Sequence, residues 1–385
     1  MIAVIADDLT GAAEIGGIGL SYNFTVEIAH EVNPHSTADM LVINTDARSK
    51  TEAEAVEITG RVSRQLKALQ PQFLFKKIDS VMRGHVVAEI IAQCAAMQIS
   101  RALVVPANPA LGRTLVNGHY YINDVPVHQT SFQHDPEFPV THSHVLKRFN
   151  HADDVICVQP HTKTLPQEGV IIGEVETAQD LDKWTQHLQN NTLAVGASGF
   201  FKACLNKLYP NSYPNKGQHP ALNNPILYIS GSTFKQSAAL INNLQKSSGP
   251  VCYMPAGLMQ PYQQNVEVLN NWINEIITLL QTQGKAVIAI PQDEQQPIKY
   301  EAKHLRKQMA LAVKEIFNTA PVAEMVIEGG STAAAILEEL GINSIFPLQQ
   351  LSPGVIRSAV KVPYAGLHIT MKPGSYSWSS DIWPF

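Results

Sequence analysis

Short apolar runs alternate with stretches of helical periodicity along the first half of this chain. The apolar runs predict strands at residues 1–6, 24–28, 40–44, 73–78 and 102–105, and again at 154–158, 170–172 and 193–195. Helical spacing of apolar residues predicts helices at 11–20, 51–69, 85–97 and 177–189, with a short helix after Gly199. Alternation of this kind is typical of a mostly parallel sheet flanked by helices. The sequence therefore predicts the α/β class.

A second alternation starts after a polar segment that is rich in Pro and Asn. This segment, residues 209–225, reads YPNSYPNKGQHPALNNP and has the composition of a linker. Beyond it the pattern predicts strands at 226–229, 251–254 and 286–290 and one running into Gly329, with helices at 234–244, 266–280, 301–317 and 332–340. A chain of 385 residues is long for one core. We expect a first domain at 1–210, a linker at 211–225 and a second domain at 226–385, each a mostly parallel sheet flanked by helices.

Residues 106–145 interrupt the first alternation with a stretch rich in Pro, Asn, His and Gly. A segment of this length without clear helices or strands is usually functional or a lid. It contains a group of histidines, but neither HExxH nor CxxC accompanies them, so contacts to a loop or a substrate are favoured over a zinc site. These histidines are His119, His128, His134, His142 and His144.

Composition narrows the class of partner. The net charge of −5 provides no basic field, which argues against a nucleic-acid partner. No apolar run is long enough to span a bilayer, and the first residues lack the pattern of a signal peptide. The four cysteines are scattered and form no CxxC pair, which indicates reduced thiols. We expect a cytoplasmic protein without a membrane partner.

Charged side chains follow several predicted strands of the first half. Asp7 and Asp8 follow the first strand, Arg48 the third, and the run Lys76-Lys77-Ile78-Asp79-Ser80 closes the fourth, with Arg83 just beyond. Open parallel sheets bind ligands at the carboxyl ends of their strands. An Asp there could accept a proton from a hydroxyl, and an Arg could hold a carboxylate bidentately. Two alternatives stay open: Asp7-Asp8 as a helix cap, and residues 76–83 as a surface ion-pair cluster in which Ser80 caps a helix.

Glycine turns follow two strands of the second half. Ser230-Gly231-Ser232 closes one strand, and Gly329-Gly330-Ser331-Thr332 closes another, each ahead of a predicted helix. Backbone N–H groups in such turns bind phosphate, although glycine turns are also common without a ligand. Gly374, in Lys372-Pro373-Gly374, offers a further loop. The chain has no GxxxxGK[ST], no clean GxGxxG and no GxSxG, so a P-loop, a dinucleotide fingerprint and a serine hydrolase are poorly supported.

Together these stretches resemble the four-carbon acid sugar kinase family, whose members phosphorylate threonate, erythronate or 3-oxo-tetronate with ATP. IADDLTGAAE resembles that family's N-terminal signature, and KKIDSVMRGH resembles its second motif. PANPALGRTLVNGHYYINDVPVHQTSFQHDPEFPV is similar to its long central motif, and SGS, GGST and PGV are similar to its C-terminal landmarks, in the same order.

The resemblance implies a sugar-acid-binding N-terminal domain, an ATP-binding C-terminal domain and an active site in the cleft between them. It implies substrate contacts from Asp8, Arg48 and the run Lys77, Ile78, Asp79 and Ser80, to which the residue pattern adds Arg83. It implies ATP contacts from Ser230, Gly329, Gly330, Ser331, Thr332 and Gly374.

The expected reaction transfers the γ-phosphoryl group of ATP to the terminal hydroxyl of a four-carbon sugar acid, giving the 4-phosphate in carbohydrate acid catabolism. Asp8 is our first choice for the catalytic base and Asp79 the second, with Arg48 or Arg83 holding the substrate's carboxylate. Mg²⁺ is expected to neutralise phosphate charge, without assigned ligands. Sugar acid and ATP are the expected partners, and a homodimer is kept open.

The sequence also departs from the family pattern. Val81 and Met82 replace Thr-Leu, His85 replaces Asn, and Ser331 stands where an acid is frequent. The tail KPGSYSWSSDIWPF has Tyr376-Ser377 in place of Phe-Gly. The altered tail motivates one alternative, a catalytically inactive binding protein for sugar acid or nucleotide. A dinucleotide-dependent dehydrogenase is another, disfavoured by the missing GxGxxG.

Overall fold

The chain forms two compact units, Met1–Asn215 and Lys216–Phe385. The computed structural model describes residues 1–135, 137–149, 155–189, 191–210, 221–231, 234–260, 265–291, 301–374, 378 and 382–383. Most of the linker predicted at 211–225, together with Ser232, Tyr376 and Ser377, lies outside the described residues. Within the described part of the chain, no helix combines the length and apolar character needed to cross a membrane.

The first unit alternates strands and helices over most of its length. Its strands are β1 (Ile2–Ala6), β2 (Val26–Ala29), β3 (Met40–Asn44), β4 (Phe73–Lys77), β5 (Arg101–Val105), β6 (Arg113–Val116), β7 (His119–Ile122), β8 (Val125–Pro126), β9 (Val155–Val158), β10 (Gly169–Gly173) and β11 (Thr192–Gly196). Its helices are α1 (Leu9–Ser21), α2 (Glu52–Ala68), α3 (Val86–Met97), α4 (Ala178–Thr185) and α5 (Ser198–Leu208).

The main sheet of this unit has the order β2-β3-β1-β4-β11-β5-β10-β9, with neighbouring strands parallel. This arrangement confirms the predicted α/β class with a mostly parallel sheet. Successive side chains of a strand point to opposite faces of the sheet, and helices cover both faces. In β4, Lys76 pairs with Glu89 of α3, whereas the adjacent Lys77 pairs with Glu14 of α1.

Apolar residues on the central strands form the core of the first unit. Ala3, Ile5, Leu41 and Ile43 are buried and pack with Val62 and Leu66 of α2. β1 and β3 are buried along their whole length, which is typical of parallel strands covered on both faces. The core therefore holds the carboxyl ends of these strands in fixed positions.

Residues 106–145, where the sequence predicted no clear elements, contain a small sheet of their own. β6, β7 and β8 form a three-stranded antiparallel meander, in which Leu115 lies opposite Tyr120. Asn117-Gly118 connects β6 to β7. The strands are too short to give a period that can be read from sequence. This meander carries polar residues toward the end of β4, as described below.

The second unit also combines a parallel sheet with helices. Its strands are β12 (Ile226–Ser230), β13 (Val251–Tyr253), β14 (Lys285–Ala289), β15 (Glu324–Glu328), β16 (Ser344–Ser352), β17 (Val355–Ala359) and β18 (His368–Lys372). Its helices are α6 (Lys235–Lys246), α7 (Ala256–Met259), α8 (Val266–Gln283), α9 (Ala302–Thr319) and α10 (Gly330–Glu339). The sheet runs parallel in the order β13-β14-β12-β15-β18, and β17 and β16 extend it antiparallel.

A buried ion pair fixes the start of β15 to the antiparallel extension. Glu324 is fully buried, and its carboxylate accepts hydrogen bonds of 2.7 and 2.8 Å from the Arg357 guanidinium on β17. It also accepts bonds from the Thr370 hydroxyl at 3.3 Å and the Asn223 backbone N–H at 2.9 Å. Both oxygens of this carboxylate therefore accept hydrogen bonds, and its charge is paired with that of Arg357. A buried charge is tolerated under these conditions.

We expect Arg357→Met to destabilise the protein by about 3–5 kcal/mol, because it leaves the Glu324 carboxylate buried without its cation. Urea unfolding at pH 7 measures the change. The double variant Arg357→Met/Glu324→Gln removes both charges and should recover part of the loss. An unchanged unfolding midpoint in the single variant would contradict this role of the pair.

Candidate active site

The carboxyl ends of β3, β1 and β4 lie level with one another in the first unit. Ala6, the last residue of β1, pairs with Asn44 on one side and with Lys77 on the other. The segments that follow these strands therefore meet at one edge of the sheet. Asp7-Asp8, Arg48 and residues 78–83 come together there, as strand order alone would bring them.

Arg48 lies at the centre of this group. Its Nη2 donates to Oδ2 of Asp8, and its Nη1 lies 3.3 Å from Oδ1 of Asp79 and 3.7 Å from Oδ2 of Asp7. The guanidinium thus faces carboxylates from two strand ends and compensates charges that would otherwise repel each other. Gly84, at φ +88°, makes the approach possible, since a Cβ there would lie 3.1 Å from Cγ of Arg48 in a conformation that side chains rarely adopt.

The sequence left open whether Asp8 caps a helix or contributes a carboxylate to a site, and in the structure it both caps α1 and contacts Arg48. Its Oδ1 accepts the Gly11 backbone N–H at 2.7 Å and so caps α1, while its Oδ2 accepts from Arg48. Its side chain remains 18% exposed, whereas that of Asp7 is 2% exposed. Asp8 is therefore the carboxylate of this adjacent pair that a solute can reach.

Asp79 is held by two arginines. Arg83 donates to it through Nε at 3.0 Å, Nη2 at 2.7 Å and the backbone N–H at 3.1 Å. Burial acts to raise the pKa of Asp79, but the charge and hydrogen bonds of Arg83, with the charge of Arg48, outweigh it and hold the pKa well below its usual range. The remaining nitrogen of Arg83 donates to Asp135 at 2.8 Å. Asp79 is thus ionised, and both of its oxygens accept hydrogen bonds.

The other predicted residues of β4 and its loop divide between the two faces of the sheet. Lys77 Nζ donates to the Ile78 carbonyl at 3.1 Å and lies 3.4 Å from Glu14, close to the start of α1. Ile78 itself is fully buried, so its side chain belongs to the core. The Ser80 hydroxyl accepts from Arg113 of β6. Ser80 does not cap α3, since the residue at that N-cap is His85.

The predicted nucleotide residues also meet at one sheet edge, within the second unit. Ser230 pairs with Glu328, and Glu328 pairs with Lys372, so Gly329 and the loop that contains Gly374 follow neighbouring strands. Gly329 has φ +102°, and α10 begins at the next residue without a side-chain cap. The first intrahelical bond runs from the Ala333 N–H to the Gly329 carbonyl at 3.0 Å. The N–H groups of Gly330, Ser331 and Thr332 precede it and have no intrahelical acceptor, which is the geometry that binds phosphate.

Close packing holds the two glycine turns together. A Cβ at Gly231 would lie 2.0 Å from the Thr332 hydroxyl oxygen, so only glycine fits at this position. Thr332 is buried and Ser331 is exposed. Ser331, which stands where the family often has an acid, is therefore the member of this turn that faces solvent.

A buried ion pair lies beside the glycine turn. Lys372 Nζ is 3.2 Å from Oε2 of Glu328, and the Trp378 indole N–H donates to the same oxygen at 3.0 Å. Burial lowers the pKa of Lys372, and Glu328 opposes that shift. Trp378 belongs to the tail that departs from the family pattern, and its ring lies 4.9 Å from Lys372 Nζ. Trp378 thus packs directly on residues next to the predicted nucleotide turn.

No group of three or more His, Cys, Asp or Glu side chains among the described residues is arranged to hold a metal ion. Two of the histidines of the irregular segment contact each other. His119 and His144 pack edge to face with ring centroids 5.0 Å apart, and His119 Nδ1 lies 3.0 Å from the Ser143 hydroxyl.

Several residues of this region were missed in the sequence. Asp135 and Arg113 lie in the stretch that resembles the central family motif, so that stretch was a usable signal for both. Glu14 ends the stretch IADDLTGAAE that resembles the N-terminal signature, whereas Glu89 lies outside the quoted motifs; the sheet places them against Lys77 and Lys76. Arg148, which donates to the Val81 and Met82 carbonyls, lies beyond every motif.

Comparison with known proteins divides the chain in the same two parts. Residues 2–204 match the family model described as a sugar-binding N-terminal domain, and residues 227–376 match a nucleotide-binding C-terminal domain. D-threonate kinase of Salmonella typhimurium is 23% identical over 91% of this chain and 89% of its own. 3-Oxo-tetronate kinase of Haemophilus influenzae is 22% identical over 98% and 97%. The chain belongs to the four-carbon acid sugar kinase family.

Further relatives agree with this membership. D-erythronate kinase of Heliobacterium modesticaldum is 32% identical over 36% of this chain and 33% of its own. The named relatives are kinases, which implies the use of ATP. Two crystal structures share the fold at 17% identity: a Haemophilus influenzae protein, with TM-score 0.74 over 99% of this chain and 98% of its own, and a Salmonella typhimurium protein described as a putative tRNA synthase, with TM-score 0.80 over 99% and 97%.

The Asp79 ion pairs lead to a prediction about pH. The pKa of an Asp carboxyl in an unfolded chain is about 3.9. When folding lowers this pKa, the carboxyl contributes its full stabilisation at every pH above about 3.9. Asp79→Asn should therefore cost about 3 kcal/mol at pH 7 and at pH 5, and the difference from the wild type should shrink below about pH 4. Urea unfolding at these pH values measures it.

Asp46→Asn is the matched control, since Asp46 is a partly exposed carboxylate on the loop that carries Arg48. It should change stability by less than about 0.5 kcal/mol at every pH tested. A difference for Asp79→Asn that stays constant down to pH 3 would contradict the assignment of its ion pairs.

Proposed function

We propose that this protein phosphorylates the terminal hydroxyl of a four-carbon sugar acid with ATP, giving the 4-phosphate, as a step in carbohydrate acid catabolism. Threonate, erythronate and 3-oxo-tetronate are the candidate acids, because the relatives carry these names. The observation that carries the proposal is the partly exposed Asp8 carboxylate at the end of β1, fixed by Arg48 and by the start of α1. It lies in the part of the chain that matches the sugar-binding model.

Asp8 is proposed as the base. In the transfer, the substrate's hydroxyl oxygen forms the bond to the γ-phosphorus, the bond from that phosphorus to the bridging oxygen breaks, and ADP leaves with the electron pair. The hydroxyl proton goes to Asp8. Its two fixed contacts hold the carboxylate in one orientation, which favours proton transfer, since a base has to lie within hydrogen-bond reach of the proton it takes.

Asp79 is proposed as a positioning residue instead of the base. Arg83 binds it through two side-chain nitrogens and a backbone N–H, and Arg48 lies against it. The same contacts hold the pKa of Asp79 well below its usual range, against the effect of burial, which makes it a poor proton acceptor. Its role is then to order Arg48, which in turn orients Asp8.

The phosphates of ATP are proposed to bind at the start of α10. The supporting observations are the first-turn N–H groups of Gly330, Ser331 and Thr332, which have no intrahelical acceptor, the positive φ of Gly329 and the tight contact between Gly231 and Thr332. Ser230 and Gly374 border this turn through the pairing of β12, β15 and β18. The match of residues 227–376 to the nucleotide-binding model supports the same placement.

The family implies Mg²⁺, but the described residues do not offer a resident site for it, as they contain no suitable group of three ligands. Mg²⁺ commonly keeps several waters and binds through substrate phosphates. It is therefore proposed to arrive with ATP, and no step of the proposal depends on a protein ligand for the ion.

The direct test is ADP release with Mg-ATP across D-threonate, L-threonate, D-erythronate, L-erythronate and their 3-oxo forms, with glycerate as the control. Turnover of one acid at about 1–100 s⁻¹ would support the kinase and name its substrate. Absence of turnover on all of them, with ATP still raising the melting temperature, would overturn the proposal in favour of a binding protein. The packing of Trp378, which belongs to the altered tail, on Glu328 and Lys372 is what motivates that second outcome.

Asp8→Asn should lower kcat by about 100-fold or more on the substrate that the panel identifies, because general-base catalysis contributes about 10²–10⁴-fold. The shift in melting temperature with ATP should stay unchanged. Steady-state kinetics and thermal unfolding measure the two. Asp46→Asn again serves as the control and should keep wild-type kcat. Near-complete turnover by Asp8→Asn would show that another group takes the proton.

A further inference from the structure

Four arginines near the carboxyl end of β4 differ in the charge of their hydrogen-bond partners. Arg48 faces Asp7, Asp8 and Asp79, and Arg83 binds Asp79 and Asp135. Both guanidiniums are therefore already compensated by carboxylates of the protein. A substrate carboxylate at either one would have to displace a protein carboxylate or lie beside several like charges.

Arg113 and Arg148 are in the opposite situation. Arg113 donates to the Ser80 hydroxyl, and Arg148 Nη2 donates to the carbonyls of Val81 at 2.7 Å and Met82 at 3.1 Å. These acceptors are neutral, and no ion pair among the described residues joins either guanidinium to a carboxylate. Both positive charges therefore lie against the loop that follows Asp79, and neither is directly paired with a carboxylate in the described part of the chain, although the charge of Asp79 acts on Arg148.

Two buried donors at this place lack acceptors. Arg148 Nη1 and the Tyr120 hydroxyl are each buried without a hydrogen-bond partner among the described residues. Tyr120 is completely buried, and the charges of Arg113, Asp79 and Arg148 all act on its hydroxyl. A buried donor without a partner destabilises the fold, so a ligand that accepts hydrogen bonds from such groups removes that cost.

The backbone of the loop carries strain at the same point. Met82 has φ +58°, in the left-handed region, and its carbonyl accepts from Arg148. Residues held in that region cluster at ligand sites, where the surrounding structure fixes them. Burial lowers the pKa of Arg148 to about 10, with Asp79 and Tyr120 opposing the shift, so the guanidinium remains charged at neutral pH.

We propose that the carboxylate of the acid substrate binds Arg113 and Arg148, with the Tyr120 hydroxyl as a third donor, and not Arg48 or Arg83. Arg113 is partly exposed and makes the first contact, exchanging its bond to Ser80 for one to the substrate. The β6–β8 meander then has a defined role, because it supplies Arg113 and Tyr120 from adjacent strands. This inference rests on the proposed function, since it assigns one end of that substrate.

The test compares the acid with its primary amide, which keeps the shape and removes the charge. Both are measured as substrates with Mg-ATP, and their binding is measured by calorimetry, in the wild type and in Arg113→Met. A charge-assisted hydrogen bond contributes about 1.5–3 kcal/mol, or about 10–150-fold. Arg113→Met should therefore raise KM and Kd for the acid by that factor and leave those for the amide within about threefold, so that the preference for the acid is lost.

Two further variants separate this role from a structural one. Tyr120→Phe removes only the hydroxyl; it should weaken acid binding by about 5–10-fold without lowering the stability of the ligand-free protein, since the hydroxyl has no partner to lose. Lys147→Met removes an exposed positive charge next to Arg148 and should leave both substrates unaffected. The KM for ATP should stay constant in all three variants.

The outcomes distinguish the two proposals. Preference for the acid that survives in Arg113→Met would overturn the carboxylate site while the kinase proposal stands. Binding of the acid without turnover in the wild type would overturn the kinase proposal, and the calorimetric comparison with Arg113→Met would still decide the carboxylate site. A wild type that neither turns over nor binds any acid of the panel would overturn both.

Discussion

One guanidinium faces carboxylates from two different strand ends, and the proposed site depends on it. Arg48 follows β3, while Asp7 and Asp8 follow β1 and Asp79 follows β4. Three ionised carboxylates this close would repel one another without a cation among them. The parallel sheet fixes the backbone positions of these residues, and Arg48 fixes the orientation of their carboxylates. The orientation of Asp8, which the proposed chemistry uses, follows from both.

Two different electrostatic environments lie side by side at this edge of the sheet. On one side, Arg48 and Arg83 are neutralised by protein carboxylates; on the other, the hydrogen bonds of Arg113 and Arg148 among the described residues go to hydroxyl and carbonyl oxygens. A small acid has a charged end and a neutral hydroxyl end, so an environment divided in this way can orient it. The meander between β5 and β9 supplies Arg113 to the positive side, and Arg148 comes from the segment that follows the meander.

The α/β class and most element positions could be predicted from the sequence, because parallel strands covered on both faces are short, continuous and apolar. β3, for instance, is buried throughout and matches its predicted bounds. The meander and the antiparallel strands β16 and β17 were not predicted; in β6 and β16 the partly exposed positions break the hydrophobic pattern, whereas β17 is mostly buried. Their registers depend on partners distant in the chain.

The proposed site was partly predictable for a similar reason. Strand ends could be located, so Asp8, Arg48, Asp79 and Arg83 were found to share an edge. Which carboxylate pairs with which arginine depends on angles of approach that sequence does not encode. Arg148 shows the limit: it reaches the Met82 carbonyl from a segment without any motif, and only the folded chain places it there.

The two adjacent lysines of β4 set a limit on how this strand can change during evolution. Lys76 points toward α3 and pairs with Glu89 in the core, whereas Lys77 points toward α1 and the edge that holds Asp8. Because side chains alternate along a strand, an insertion or deletion of one residue within β4 would exchange their faces. One ammonium group would then lose its buried carboxylate, and the other would leave the start of α1. Homologous chains can therefore vary the apolar residues of β4, but a change in its length requires compensation in both helices at once.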